Sequence, residues 1–448
     1  MSLQSEQTPD FSLVSFAEAI ERSDNTPVPG YEDLMIDSQP QFLKRLSGLR
    51  ERLRAAKESG KLNLIILGTG GTFQSAETDH GYAPEGSLEE SFKALNLPKD
   101  ESVNLELIDL MNLDSSQMTV DHWRFLAESI VSIEEEAGDL YDGIIVTHGT
   151  DTMTRGASYL SFMLQGFPKS VIFTGSQYPA RQTGTDAKDQ MERSITTAKL
   201  AANPNKRIAE VMVSCGLRIS RGTWATKMGD KTTNAFGPWN QPNQDFDATE
   251  WGKAAANGTL DRLAPALLDF GTGKNTGSLE FAEHARSVDD KIPYRPFTVV
   301  THAADIIPAR LTDLSPRGLA EFMVGRTATV LTQLGSATAD DRLVEVALAA
   351  GNHGKAVILE APFADSTVAA GTYAAGARIT EVLPFIKRRL PTINTSPDAL
   401  AAKINFLIHA EKVEPSEVAI DGLGVVFASN DLRRLYDAME TNLVGELV

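Results

Sequence analysis

The sequence predicts an α/β protein, with a larger N-terminal domain built on a parallel, doubly wound sheet and a smaller C-terminal α/β domain. Three observations carry this reading. From residue 62 onward, apolar runs of strand length alternate with segments of helical periodicity. Those runs are continuously apolar, as strands covered on both faces require. A second strand and helix set follows Asp289-Asp-Lys-Ile-Pro-Tyr-Arg295, a charged, proline-containing stretch that reads as a linker over 289–296.

Residues 1–60 read as a helical extension. Phe11–Arg22 and Gln41–Ser59 have helical patterns, separated by Pro27, Pro29 and Gly30. In the second, Phe42, Leu46, Leu49 and Leu53 share one stripe, expected to pack on the body or on a neighbouring subunit. The first domain, 61–288, opens on Asn63-Leu-Ile-Ile-Leu-Gly-Thr-Gly-Gly-Thr72, a strand running into a glycine-rich turn. Gly68, Gly70 and Gly71 allow a sharp turn and close approach of a ligand. Ligands of open α/β sheets bind just beyond such strand ends. A dinucleotide loop would need its third glycine at position 73, which is Phe73. Further strands are expected at Leu105–Asp109, Gly143–Thr147, Ser170–Thr174 and Ile208–Ser214. Helices are expected at Trp123–Ala137, Thr152–Gln165 and Asp186–Ala201. Thr150 and Asp151 fall where a strand ends and a helix begins, a place for a helix cap or an anion site. Residues 229–262 read as a long irregular excursion. The second domain, 297–448, has strands at Phe297–Thr301, Ala328–Thr332 and Lys355–Glu360 and a helix at Asp398–Ala410.

The 448 residues are 42% hydrophobic and 23% charged, the balance of a globular protein. A net charge of −18 argues against nucleic acid as a partner, because such binding draws on basic surface. No apolar run of membrane-spanning length occurs, and Met1-Ser-Leu-Gln-Ser-Glu-Gln7 lacks the basic and apolar parts of a signal peptide. The single cysteine, Cys215, rules out an internal disulfide and fits a reducing compartment, so the expected location is cytoplasmic. Seven histidines lack ligand spacing, so neither metal nor other cofactor is expected. Ser176 lacks the second glycine of a nucleophile elbow and reads as structural.

Thr69-Gly-Gly-Thr72 and His148-Gly-Thr-Asp-Thr-Met153 resemble the two signature motifs of the bacterial-type L-asparaginases. Asp79-His-Gly-Tyr-Ala-Pro84 resembles the family's lid segment. Asp114-Ser-Ser-Gln-Met-Thr119, followed by Trp123, is similar to the substrate loop of the cytoplasmic type I branch. Ser161-Phe-Met-Leu164, Thr174-Gly-Ser-Gln177 and Arg221-Gly-Thr-Trp-Ala-Thr-Lys227 continue the match, which runs from about residue 62 to about residue 412.

The resemblance implies a two-domain asparaginase-like fold and hydrolysis of L-asparagine to L-aspartate and ammonia. Amide hydrolysis needs a nucleophile, a proton acceptor and oxyanion donors. By resemblance, Thr72 is the nucleophile on a lid and Tyr82 helps deprotonate it, while Thr150, Asp151 and Lys227 form a second catalytic cluster. Asp114 and Asp151 suit the ammonium of a small amino-acid substrate, and Ser115, Ser116 and backbone N–H groups suit its carboxylate. The resemblance also implies a homodimer or homotetramer with the site at a subunit interface. The chain departs from the family at Thr185-Asp-Ala…Gln190, which stands for Ser-Asp-Gly…Asn, and at Thr72-Phe-Gln-Ser75, which stands for Thr-Ile-Gly or Thr-Ile-Ala. Glu360-Ala-Pro-Phe363 stands where type I enzymes usually carry a cysteine linked to allosteric substrate binding, so cooperative regulation is not expected. Alternatives are a glutaminase-asparaginase of broader specificity, the asparaginase-like subunit of an archaeal tRNA-dependent amidotransferase, and an inactive amino-acid-binding homologue. The last would be marked by loss of a core residue, whereas Thr72, Tyr82, Thr150, Asp151 and Lys227 are all present.

Overall fold

The computed structural model describes residues 46–239 except 47, 79–80, 85, 165–166, 204–207 and 231. Beyond these it describes 306–310, 323, 326–332, 341–360, 392–393, 395–410, 416–417 and 425–440. The helix expected at Phe11–Arg22, the linker at 289–296 and the strand at Phe297–Thr301 lie outside the described residues.

Helix α1 (Leu49–Glu58) leads into β1 (Leu62–Gly70), the one-turn α2 (Gly71–Gln74) and a hairpin of β2 (Ala76–Thr78) and β3 (Gly81–Ala83). Then follow α3 (Leu88–Leu95), β4 (Val103–Leu113), α4 (Val120–Ala137), β5 (Gly143–Thr147) and α5 (Met153–Met163). Next come β6 (Ser170–Thr174), α6 (Ala187–Ala201), β7 (Val211–Cys215), β8 (Arg218–Arg221), β9 (Ala225–Lys227) and β10 (Phe236–Pro238). The six-stranded sheet has the order β4-β1-β5-β6-β7-β8, parallel except for β8, which runs antiparallel to β7. The apolar runs form its centre: every residue of β5 and β6 is buried, as are Leu64 to Leu67 of β1. Among the described residues, no helix is long and apolar enough to cross a membrane.

Strand β1 connects outward to β4 on one side, while β5 lies on its other side. The strand order therefore reverses between β1 and β5, and such a switch point opens a crevice beyond the carboxyl ends of the strands. The glycine-rich loops after β1 and after β5 both leave the sheet there.

The helices cover both faces. Leu88 and Leu95 of α3 share a core with Met191 and Ala198 of α6 and with Ile145 and Ile172 of the sheet. On the opposite face α4 packs on α5, with Trp123 stacked on Tyr159 at 5.2 Å between ring centroids. The β5–α5–β6 and β6–α6–β7 connections step the same way along the sheet but cross opposite faces. They therefore have opposite hands, although parallel crossovers nearly always share one hand.

Helix α1 packs on its own chain. Leu49 and Leu53 are fully buried, Arg50 pairs with Asp139 at 2.9 Å, and Asn63 Nδ2 donates to the Leu53 and Leu140 carbonyls. The strand expected from Ile208 starts at Val211. The excursion expected from residue 229 contains β10, paired antiparallel with β9 because buried Phe236 anchors it opposite Lys227.

The second sheet has the parallel order β11 (Ile306–Arg310), β12 (Ala328–Thr332), β13 (Ala356–Glu360) and β14 (Thr392–Ile393). Helices α7 (Asp341–Asn352), α8 (Pro397–Ala410) and α9 (Ser429–Met439) accompany it. Val330, Ile358, Ile404, Leu407 and Leu435 share its core. Tyr436 is buried there, accepts the Val357 N–H at 2.9 Å, and has its phenol pKa pushed up by desolvation. Helix α8 docks on α5. Thr154 Oγ1 donates to Asp398 at 2.6 Å, Asn405 Nδ2 donates to the Tyr159 hydroxyl at 2.9 Å, and Phe162 stacks on Phe406.

Candidate active site

The β1 loop is shaped by two glycines in left-handed backbone, Gly70 at φ 97° and Gly71 at φ 66°. A Cβ on Gly70 would run into the Leu113 backbone, and one on Gly71 would run into the Gly149 backbone. Glycine is required at both by φ and by close approach. The contact between Gly71 and Gly149 brings the two strand-end loops together at the switch point. Thr69 Oγ1 reinforces it by donating to the Thr147 carbonyl at 2.9 Å.

Thr72 sits on α2, whose four carbonyls are all engaged. Ser75 Oγ donates to Gly71 O at 3.0 Å and Ser75 N to Thr72 O at 3.1 Å. Ala180 N donates to Phe73 O at 3.3 Å and Gly86 N to Gln74 O at 3.0 Å. The Thr72 hydroxyl is half-buried and takes no hydrogen-bond partner among the described residues. Strand β3 lies against α2 and carries Tyr82, which is 56% exposed and is not hydrogen-bonded to Thr72.

Thr150, Asp151 and Lys227 do come together. Lys227 Nζ lies 2.6 Å from Asp151 Oδ1 and 3.1 Å from Thr150 Oγ1, donating to both. Thr150 is buried, the Lys227 side chain mostly buried and the Asp151 side chain 65% exposed. Lys227 reaches this point from the β9–β10 pair. Of the third loop, Ser115 is buried and packs on Gly149, so that a Cβ there would collide with its side chain. Its carbonyl accepts Thr152 Oγ1 at 2.8 Å. Asp114 and Ser116 are exposed, and Asp114 Oδ1 accepts both the N–H and the hydroxyl of Ser116, at 2.8 and 2.7 Å.

His148 carries a role that sequence reasoning missed. It is fully buried, its Nδ1 lies 2.7 Å from the Gly149 carbonyl, and its Nε2 lies 3.3 Å from Trp123 Nε1. The carbonyl can only accept and the indole N–H can only donate, so the ring is the neutral Nδ1–H tautomer. Desolvation drives its pKa down to about 4, against a smaller upward push from the Gly149 hydrogen bond. His148 thus orients the turn that carries Thr150 and Asp151. No spacing pattern announces this, because Trp123 lies 25 residues away.

Asp186 accepts the N–H groups of Gln177 and Tyr178 at 3.1 Å, fixing the loop after β6. Ser176 donates to Tyr178 O at 2.6 Å, consistent with a structural role. Among the described residues, no cluster of His, Cys, Asp and Glu could hold a metal ion. A groove of about 630 Å³ lies away from this constellation, by the amino-terminal ends of β1 and β4, with Phe92, Leu97 and Ile195 among its lining residues.

Residues 63–250 match the family described as asparaginase, N-terminal. The chain is 32% identical over 182 residues to the L-asparaginase of Thermococcus kodakarensis, a match covering 41% of this chain and 52% of that protein. It is 32% identical over 185 residues to L-asparaginase 1 of Escherichia coli K12, again over 41% and 52%. The chain therefore spans about half the length of the curated relatives it matches. Its fold is similar to that of the thermostable T. kodakarensis L-asparaginase, with TM-score 0.59, 23% identity, and 86% of this chain and 99% of that one covered. It is also similar to L-asparaginase I of Vibrio cholerae, with TM-score 0.60, 20% identity, and 87% and 99% covered. Residues 63–250, whose parallel sheet reverses its order between the two glycine–threonine loops, are thus similar in sequence to the N-terminal domain of the asparaginases, and the fold is similar to theirs.

Proposed function

We propose that the protein is a cytoplasmic L-asparaginase, a cofactor-independent amidohydrolase that converts L-asparagine to L-aspartate and ammonia. The observation that carries this reading is the lysine of β9 reaching back to Thr150 and Asp151, supported by the close approach of Gly149 to Gly71, the residue before Thr72. Thr72 Oγ1 attacks the side-chain amide carbon and gives up its proton with the help of Tyr82. Backbone N–H groups of the converging loops stabilise the oxyanion. The tetrahedral intermediate collapses, the C–N bond breaks, and the departing nitrogen takes a proton to leave as ammonia. Water then adds to the Thr72 ester, with the Thr150, Lys227 and Asp151 cluster moving its proton, and aspartate and free Thr72 result. Asp151 Oδ1 is engaged by Lys227, which leaves Oδ2 with Asp114 to receive the substrate ammonium. Ser115, Ser116 and backbone N–H groups receive its carboxylate.

Residues 61–288 are the proposed catalytic domain, 297–448 the second domain and 1–60 an extension, in a homodimer or homotetramer. Asparagine is placed ahead of glutamine, a distinction of one methylene worth about 1–3 kcal/mol. The test is ammonia release from L-asparagine, L-glutamine and D-asparagine by wild type, Thr72→Ala and Lys227→Met. Turnover of L-asparagine by wild type and its loss in both variants is the expected result. A well-folded wild type that releases no ammonia from any of the three would overturn the reading.

A further inference from the structure

Gln74 ends the one-turn helix that carries Thr72, and its side chain is fully buried. It stands where the resembling sequences carry glycine or alanine, so what it does cannot be done by the usual residue. Its amide meets four groups. Oε1 accepts the Gly70 N–H at 3.0 Å, with the Thr147 hydroxyl more distant at 3.4 Å. Nε2 donates to Asp109 Oδ1 at 3.0 Å and, more weakly, to the Gly86 carbonyl at 3.4 Å. Donors face the oxygen and acceptors face the nitrogen, which fixes the amide's orientation. Gly68 makes room for it, since a Cβ there would lie 2.7 Å from Gln74 Oε1.

The groups so joined lie on β1, β5, β4 and the segment entering α3. Gly70 immediately precedes the turn and Gly86 follows the β2–β3 hairpin. Gly86 is held twice, because its N–H also donates to the Gln74 carbonyl. Asp109 Oδ1 in turn accepts the Leu88 N–H at 2.9 Å and pins the start of α3. One buried amide therefore ties both ends of the 71–86 segment to the sheet.

We propose that Gln74 is a positioning residue for Thr72, its amide clamping the nucleophile-bearing turn and the base of the lid hairpin onto β1, β4 and β5. This rests on the functional reading above. A clamp of this kind acts on the reacting geometry more than on substrate binding.

The experiment compares wild type, Gln74→Met and Gln74→Glu by L-asparagine turnover across pH 5 to 8.5, with thermal melts of each. Methionine keeps the length and loses every hydrogen bond, and kcat is expected to fall about 10²-fold with little change in KM. Glutamate restores the pattern only when protonated, accepting from Gly70 and donating to Asp109. Its kcat relative to wild type at the same pH should rise as the pH falls, since a buried carboxylate at 74 and the half-buried Asp109 carboxylate beside it resist joint ionisation. The other charged groups nearby are Arg181, beside Gly86, and its partner Glu90 at 3.6 Å. Neither is altered in the variants. Wild-type kcat in Gln74→Met, or a Gln74→Glu ratio independent of pH, would overturn the proposal. If wild type turns over no substrate, the functional reading falls, and amide hydrogen exchange then decides the clamp by itself. Faster exchange at Gly70 and Gly86 in Gln74→Met supports the clamp, and unchanged exchange overturns it.

Discussion

Acid should unfold this protein partly through His148. Its imidazole is sealed between the Gly149 carbonyl and the Trp123 indole, and burial lowers its pKa from 6.5 to about 4. The folded state therefore refuses a proton that the unfolded chain accepts. Above pH 6.5 neither state is protonated at this ring, and the neutral imidazole adds its full share to stability. Between pH 6.5 and about 4 that share is lost, and below about 4 no more is lost from this residue. The span corresponds to roughly 3 kcal/mol at 1.36 kcal/mol per pKa unit. The assay is denaturant unfolding at pH 7.5, 5.5 and 4 for wild type and His148→Gln, whose amide can still donate to Gly149 and accept from Trp123. His122 is also lowered by burial, but it is present in both proteins and cancels in the difference. Asp100, held at about 2 mainly by its hydrogen bonds from Lys199 and Ser102, acts at lower pH. Wild type should lose about 3 kcal/mol more than the variant between pH 7.5 and 4. Parallel losses in the two proteins would refute the buried neutral ring.

In the proposed reaction, Gly149→Ala should cut L-asparagine turnover about 10²-fold, because a methyl group there collides with Ser115 and forces apart the loops carrying Ser115 and Thr150; ammonia release at wild-type rate would contradict that packing. Leu53→Ala should cost about 2–5 kcal/mol in chemical denaturation, the range for a fully buried leucine, and unchanged stability would mean that α1 does not pack on its own chain.

The central strands were legible because both faces are covered, so Gly143–Thr147 and Ser170–Thr174 are apolar throughout and end at glycine or polar residues. Strand β8 has no signature in the sequence because Arg-Ile-Ser-Arg has no apolar run; its Arg221 is buried against Glu210 and lies over the Trp224 ring. Helix α3 does carry a sequence signal, the capping box of Ser87 and Glu90. For the candidate site, the glycine loops follow from chain chemistry, whereas the pairing of Lys227 with Thr150 was expected from family resemblance alone. Seventy-seven residues separate the two, and local periodicity carries no trace of such a contact. The saturated amide of Gln74 is visible in the sequence only as an odd residue in a motif, since its partners lie on β1, β4, β5 and the segment entering α3.

The reversed hand of the β6–α6–β7 connection also shapes the crevice. After β6 the chain must cross to the face shared by α3 and α6, and residues 175–186 make that passage above the strand ends. On the way Ala180 N reaches the Phe73 carbonyl, next to Thr72. With the common hand, this stretch would have run over the α5 face and left Phe73 O without that donor. The unusual winding thus builds one wall of the crevice proposed to hold the substrate out of what would otherwise be a plain crossover loop.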